Sequence, residues 1–265
     1  MRLKISHMTE YSYEEPVEFA LQRLRLTPKD SPGQKILQWQ SLVNGASHEA
    51  SYDDHFGNRV ELVSVSGGEK TIRIMASGEV ETEERNGVFG PHLGYVPLWL
   101  FRRDTALTKP GRAIRELAKS IEGDGELAKM HALMGWIHEN VEYRKDATTS
   151  ETTADQAMEL KAGVCQDHAH LFISAARAMG LSARYISGYM LDGNEMGAAS
   201  HAWAEAHVPG LGWVGFDPTN DICPDDRYVR VATGLDYADT APVSGMRVGT
   251  APEMIIVSVS VEQEQ

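Results

Sequence analysis

Cys165, His201 and Asp217 are the three residues of this chain whose types and positions could form a nucleophilic site. Cys165 stands in the first turn of a helix predicted over residues 163–179, where unpaired backbone N–H groups and the helix dipole stabilise a thiolate. Gly163, which has no Cβ, is expected to let the backbone turn sharply into this helix. Position alone leaves two interpretations open, a reactive thiol or the small buried apolar residue that most lone cysteines are.

His201 and Asp217 lie on two predicted strands that could bring them to the cysteine. Residues 200–207 alternate, so His201 lies on the tryptophan-bearing face of its strand and suits a general base shielded from water. The next strand ends at Asp217, because Pro218 cannot continue a central ladder. A hairpin centred near residue 209 pairs position 201 with position 217, where a carboxylate would orient the imidazole. Taken singly, a strand-end histidine and a turn aspartate are the alternatives, but all three residues in this order are hard to attribute to chance.

Four segments carrying these residues resemble the bacterial transglutaminase-like superfamily. They are residues 163–169 (GVCQDHA), 183–189 (ARYISGY), 201–203 (HAW) and 213–220 (WVGFDPTN). The resemblance covers roughly residues 110–225, and the first hundred residues resemble the N-terminal domain that accompanies this core in bacterial members. It implies an α+β fold with a papain-like, transglutaminase-like core and a Cys-His-Asp triad, whose positions carry over as Cys165, His201 and Asp217.

The resemblance leaves the reaction open, since the superfamily includes transglutaminases, peptidases, amidases, peptide N-glycanases and members without activity. They share one chemistry, in which a thiolate attacks an amide carbonyl and the acyl-enzyme passes to water or to an amine. Nothing in the sequence identifies a tunnel for an acceptor amine. We therefore expect a cysteine peptidase or amidase acting on peptides or proteins, with acyl transfer to amines and a non-catalytic scaffold as the alternatives.

The tetrahedral oxyanion would need hydrogen-bond donors. The backbone N–H of Cys165 is one expected donor, since helix N-termini supply such groups. For the second, the sequence offers Tyr143 first and Asn140 next, although a tyrosine at a helix end is more often a packing residue. Gln166 adjoins the nucleophile but points about 100° away from it on a helix, so we assign it no role.

No metal or other cofactor is expected. His168 could share a helix face with Cys165, but His170 could not, and no further ligand follows in zinc-like spacing. Both histidines are therefore expected to pack or to form local hydrogen bonds. Cys223, in a loop rich in proline and aspartate, is interpreted as incidental, and a disulfide between the two cysteines is not expected.

The elements that must position the triad fall into two predicted regions. The first third alternates as short strands separated by turn signals such as Gly67-Gly68 and Ser77-Gly78, which predicts a small antiparallel sheet or sandwich. Helical spacing begins after a linker placed at residues 86–111. We expect a β-rich domain over residues 1–105, a catalytic core over 106–235 and an extension over 236–265, whose strand 254–261 could return to the N-terminal sheet. The predicted strands are residues 1–7, 19–26, 36–43, 61–66, 71–80, 183–190, 201–207 and 212–216, and the helices end at 123, 140, 161 and 179.

Composition narrows the classes of partner. The chain has 265 residues, a net charge of −13 and 42% hydrophobic residues, typical of a globular protein. So acidic a surface repels phosphate backbones and anionic lipids, so that neither nucleic-acid nor membrane binding is expected. The N-terminus lacks the pattern of a signal peptide, and we expect a cytoplasmic protein whose oligomeric state the sequence leaves open.

Overall fold

The computed structural model describes residues 1–191, 200–248 and 252–264. Its helices are α1 (Arg112–Ser120), α2 (Glu126–Asn140), α3 (Ala154–Leu160), α4 (Cys165–Ala178) and α5 (Tyr237–Thr240), with a 3₁₀ helix at Leu98–Arg102. Its strands are β1 (Arg2–Leu24), β2 (Gln34–Val43), β3 (Ala46–Asp53), β4 (Arg59–Thr82), β5 (Val88–Gly90), β6 (Glu142–Tyr143), β7 (Ala162–Gly163), β8 (Ala183–Met190), β9 (Ser200–Val208), β10 (Gly212–Phe216), β11 (Tyr228–Gly234), β12 (Val243–Arg247) and β13 (Glu253–Gln263). The fold is α+β, with a β-rich N-terminal region followed by a region in which a second, five-stranded sheet packs against helices.

The N-terminal sheet is antiparallel and is built around two long strands. Strand β1 lies between β4 on one side and β12 and β13 on the other, and β4 also pairs with β2 and β3. Because β13 pairs with residues 3–13 of β1, both ends of the chain lie in this sheet. Two strands of the expected C-terminal extension, β12 and β13, are thus part of the N-terminal sheet.

The four short strands predicted at residues 1–7, 19–26, 61–66 and 71–80 are in fact the two long strands β1 and β4. Gly68 lies where the β1–β4 register shifts, and it has a φ of +77° opposite Pro16. Gly78 does not form a turn either, since it lies inside β4 opposite Trp39, where a Cβ would lie 2.6 Å from the Trp39 ring. These glycines allow a bulge and a close side-chain approach rather than a hairpin.

The core sheet is also antiparallel, in the order β11-β8-β9-β10-β5. Helix α4 packs on one face, where Phe172 and Ala175 contact the alanines of β9 in the largest apolar cluster. The N-terminal sheet contacts the core through a second cluster, which joins Leu3 and Ile5 to Tyr189 and Val229. Strand β5 lies within the predicted linker at residues 86–111, yet it is hydrogen-bonded to β10 in the core sheet. In the described part of the chain, no helix has the length and apolar character needed to cross a membrane.

Candidate active site

Cys165 is the first residue of α4, and Val164 is its N-cap. The carboxylate of Asp167 folds back over this end of the helix, where its Oδ2 accepts the Val164 N–H (2.8 Å) and the Thr148 hydroxyl (2.6 Å). This satisfies one of the N–H groups that a helix start leaves unpaired. A Cβ on Gly163 would lie 2.6 Å from the Asp167 side chain. Gly163 is therefore needed for the space that Asp167 occupies, not for the sharp turn expected from sequence.

The structure brings all three predicted triad residues together. His201 Nε2 lies 2.7 Å from Asp217 Oδ2, and Cys165 lies near enough to His201 to help raise the pKa of its imidazole. Because Nε2 is engaged by the carboxylate, Nδ1 is the ring nitrogen available to the thiol. His201 and Asp217 are buried, whereas Cys165 is partly exposed.

The hairpin register that predicts this contact is wrong by two residues. Strands β9 and β10 pair Phe216 with Ala204, so the ladder would place position 217 opposite position 203 rather than 201. Since strand faces repeat every two residues, Asp217 still lies on the face of His201. The contact is diagonal instead of directly across, and it forms where β10 has ended and Asp217 bridges to Ile222.

Burial and charge act in opposite directions on the histidine. Burial lowers the pKa of His201, but hydrogen bonds to Asp217 and Cys165, together with their negative charges, raise it more, to about 10. Burial alone would raise the pKa of Asp217, yet its bond to His201 and further donors lower it. The arrangement therefore holds a protonated imidazole between a carboxylate and a thiol.

Two side chains that the sequence analysis did not assign bind the triad carboxylate. The Tyr228 hydroxyl and the Asn220 amide each donate to Asp217 Oδ2 at 2.7 Å, while the Thr219 N–H donates to Oδ1 at 2.9 Å. Asn220 stands in the WVGFDPTN segment and could have been found there. Tyr228 comes from β11, and no local spacing links it to the site.

Two aromatic rings cover the imidazole. The ring of Trp203 stacks near His201 with 6.3 Å between centroids, and Tyr228 meets it edge-on at 5.8 Å. Both aromatic residues are buried. They keep bulk water from the His201–Asp217 pair, which strengthens its electrostatic interaction.

The two side chains proposed from sequence as oxyanion donors lie in different surroundings from each other. Asn140 is exposed, and its amide donates to the Trp136 carbonyl of its own helix at 2.8 Å. Tyr143 is 48% exposed and pairs with Gly163 in the short parallel ladder of β6 and β7, two residues before the nucleophile. Its role as a donor stays a prediction. The amide of Gln166 donates to the Ser150 carbonyl at 3.2 Å.

The histidines next to the nucleophile make local contacts. His168 Nδ1 lies 3.1 Å from the Thr219 hydroxyl, and His170 Nε2 accepts the Tyr237 N–H at 3.1 Å. Burial lowers the pKa of each to about 4. Across residues 1–191, 200–248 and 252–264, no group of three or more His, Cys, Asp or Glu residues is placed to hold a metal ion. Cys223 is free, and burial raises the pKa of its thiol to about 11.

Two ranges of this sequence match known domain families. Residues 115–218, which contain all three triad positions, match the transglutaminase-like superfamily, and residues 3–81 match the bacterial transglutaminase-like N-terminal region.

Individual relatives cover different shares of the chain. An uncharacterized protein of Mycobacterium tuberculosis is 31% identical over 98% of this chain and 92% of its own. A Pseudomonas aeruginosa protein-glutamine gamma-glutamyltransferase is 26% identical, over 53% of this chain and 23% of its own. Among solved structures, a protein of Cytophaga hutchinsonii described as a candidate cysteine protease superposes with a TM-score of 0.79. At 24% identity it covers all of this chain and 92% of its own, and it shows that the two share a fold.

Proposed function

Because this chain belongs to the transglutaminase-like superfamily, we propose that it is a cysteine peptidase or amidase that hydrolyses amide bonds in peptides or proteins. One observation carries the proposal: a buried His201 is bound to Asp217 at 2.7 Å and lies near enough to Cys165 for the thiol to raise the pKa of the imidazole. This is the order of contacts that activates a thiol nucleophile.

The proposed reaction begins with a thiolate at Cys165 and an imidazolium at His201. The sulfur attacks the amide carbonyl, a C–S bond forms, and the oxygen takes up the negative charge within reach of the backbone N–H of Cys165. When the tetrahedral intermediate collapses, the C–N bond breaks and His201 gives its proton to the leaving amine or ammonia. The neutral imidazole then takes a proton from water, which attacks the acyl-enzyme and releases the carboxylic acid and the thiolate.

Hydrolysis is favoured over transfer because Cys165 is partly exposed, so that water can reach an acyl-enzyme at this sulfur. Acyl transfer to an amine is the second candidate. It is favoured by the similarity to the gamma-glutamyltransferase of Pseudomonas aeruginosa, which extends over half of this chain. Both reactions use the same acyl-enzyme and differ only in the acceptor.

The test is to incubate the protein with a peptide library that includes glutamine peptides, in the presence of a fluorescent primary amine. Mass spectrometry then distinguishes cleaved peptides, deamidated glutamines and amine adducts. We expect cleavage or deamidation with little adduct, abolished in Cys165→Ala. The matched control Cys223→Ala, which removes the other thiol, should retain the activity.

Each other outcome overturns the proposal in its own way. Adducts that exceed the hydrolysis products would establish acyl transfer. Equal turnover by Cys165→Ala would place the activity outside this site. Absence of every product, with Cys165 reacting towards iodoacetamide no faster than an ordinary thiol, would favour a non-catalytic scaffold.

A further inference from the structure

A buried cluster of two arginines and one glutamate lies in the core sheet, away from the thiol. Glu205 on β9 is opposite Arg184 on β8, and it accepts the Arg184 Nε–H at 2.6 Å through Oε2. Its Oε1 pairs with the guanidinium of Arg230 on β11. The side chains of Arg184, Glu205 and Arg230 are 9%, 3% and 14% exposed. Two guanidinium groups thus share one carboxylate, and the cluster carries a net charge of +1.

The two arginines also line a pocket of about 300 Å³, on the side of the core sheet that faces the N-terminal domain. The guanidinium of Arg184 lies 4.0 Å from the centre of the Trp213 ring, and that of Arg230 lies 4.2 Å from the centre of the Phe89 ring. Both rings are part of the pocket wall, whereas Glu205 lines the neighbouring cavity. The pocket therefore has a cationic side and an aromatic side.

The charge of the cluster is incompletely balanced. A buried cation is costly unless it is paired and hydrogen-bonded. Arg184 Nη2 is buried and lies 2.6 Å from Glu205 Oε2 without an aligned hydrogen bond. Burial lowers the pKa of Arg184 to about 9, which indicates how weakly its charge is compensated. The aromatic rings occupy guanidinium faces, whereas hydrogen bonds to an anion would use guanidinium edges.

We propose that this pocket binds a small organic carboxylate that carries an apolar group of about the size of an aromatic ring. The carboxylate would pair with the guanidinium N–H groups of Arg184 and Arg230 that Glu205 and the Thr233 hydroxyl do not already use. The apolar group would lie against Phe89 and Trp213, and Leu93 would border it. Inorganic phosphate would satisfy the arginines but would leave the aromatic wall unused. None of Cys165, His201 and Asp217 lines this pocket, so the inference does not depend on the proposed hydrolysis.

The test compares N-acetylphenylalanine, its uncharged amide and inorganic phosphate by titration calorimetry on the full chain. We expect saturable binding of the acid, with the amide and phosphate at least 10-fold weaker. The informative pair of variants is Leu93→Asp and Leu93→Lys, since Leu93 lines the pocket, is 87% exposed and is not part of the buried cluster. Leu93→Asp should weaken binding of the acid and Leu93→Lys should strengthen it, each several-fold, with no change for the amide.

A second variant addresses the arginines directly. Arg230→Lys keeps the charge but removes the planar guanidinium, which can serve Glu205, Thr233 and an anion at once, and it should weaken acid binding about 10-fold, whereas Arg112→Gln on the exposed face of α1 should have no effect. Equal binding of the acid and the amide, or acid affinity that does not respond to the charge at position 93, would overturn the proposal. The proposal would also be overturned if phosphate bound as tightly as the acid, or if the acid showed no saturable binding.

Discussion

At the scale of single residues, Asp217 controls the charge of the imidazole. Asp217→Asn keeps the shape of the side chain but removes the negative charge that helps to raise the pKa of His201 to about 10. That pKa should then fall towards 6.5, and the imidazolium would be lost at neutral pH. We expect kcat/KM for peptide hydrolysis to drop roughly 10²–10⁴-fold, the usual worth of general acid–base catalysis.

The same substitution should change the pH profile of Cys165 alkylation by iodoacetamide, measured site by site with mass spectrometry. In the natural protein, reaction should already be fast near pH 6 because the imidazolium persists to about pH 10. In Asp217→Asn the imidazolium should be lost above about pH 6.5, so alkylation of Cys165 at pH 7.5 should be roughly 10-fold slower, as for an ordinary thiol. Cys223 is the internal control, since burial raises its pKa to about 11. An identical profile in both proteins would show that Asp217 does not influence the charge of His201.

Tyr228 acts through Asp217 as a positioning residue. Tyr228→Phe removes one of three donors to Asp217 Oδ2, and a hydrogen bond to a charged group contributes about 1.5–3 kcal/mol. The pKa of Asp217 is lowered in the fold, so its stabilisation is present above its unfolded pKa and is lost as pH falls through the folded value. Losing the donor raises that folded value.

We therefore expect Tyr228→Phe to move the acid limb of both activity and unfolding to higher pH, with about 2 kcal/mol lost at pH 7. Urea unfolding and initial rates across roughly pH 2.5–6 measure both effects, because the affected range lies below the ordinary aspartate pKa of about 3.9. Tyr52→Phe, at an exposed tyrosine of β3, is the matched control. A uniform loss of stability without movement of the acid limb would indicate a packing role only.

At the scale of elements, regular periodicity made α2, β8 and β10 predictable to the residue, because each has a single repeating pattern. Long bulged strands were not predictable in the same way, since Gly67, Gly68 and Gly78 imitate turns. The positions of Cys165, His201 and Asp217 followed from their motifs. The donor Tyr228 could not, because only the pairing of β11 with β8 brings it to the site.

Gly163 affects Cys165 through the cap that Asp167 forms at the start of α4. Gly163→Ala would place a Cβ 2.6 Å from Asp167, so the cap on the Val164 N–H must shift. We expect a loss of about 0.5–2 kcal/mol in the free energy of unfolding, the usual worth of a helix cap, and slower alkylation of Cys165. Gly135→Ala in α2 is the control, since its nearest neighbour would be 3.6 Å away. It should be neutral or stabilising. Equal behaviour of the two variants would exclude this role for Gly163.

At the scale of the whole molecule, the two sheets are joined by more than a linker. Strand β5, from the first 105 residues, completes the edge of the core sheet, and the C-terminal strand β13 contributes Val259 and Val261 to the cluster between the sheets. Sequence patterns report local periodicity, so they cannot reveal that a strand from one region of the chain pairs or packs with the sheet of the other. Cutting the chain at residue 105 would therefore remove a strand from the core sheet.

His7 links the two sheets and should make their association sensitive to acid. Its Nδ1 lies 2.9 Å from the hydroxyl of Tyr189 on β8, and burial lowers its pKa to about 4. The unfolded chain, with a histidine pKa near 6.5, binds a proton that the folded chain excludes, so stability falls as pH drops from 6.5 towards 4. Between pH 7.5 and pH 5 this amounts to about 2 kcal/mol. In urea unfolding, His7→Gln should lose about 2 kcal/mol less over this range than the natural protein, while His48→Gln, at an exposed histidine of β3, should match it. If His7→Gln shows the full acid sensitivity, His7 does not couple the sheets to pH.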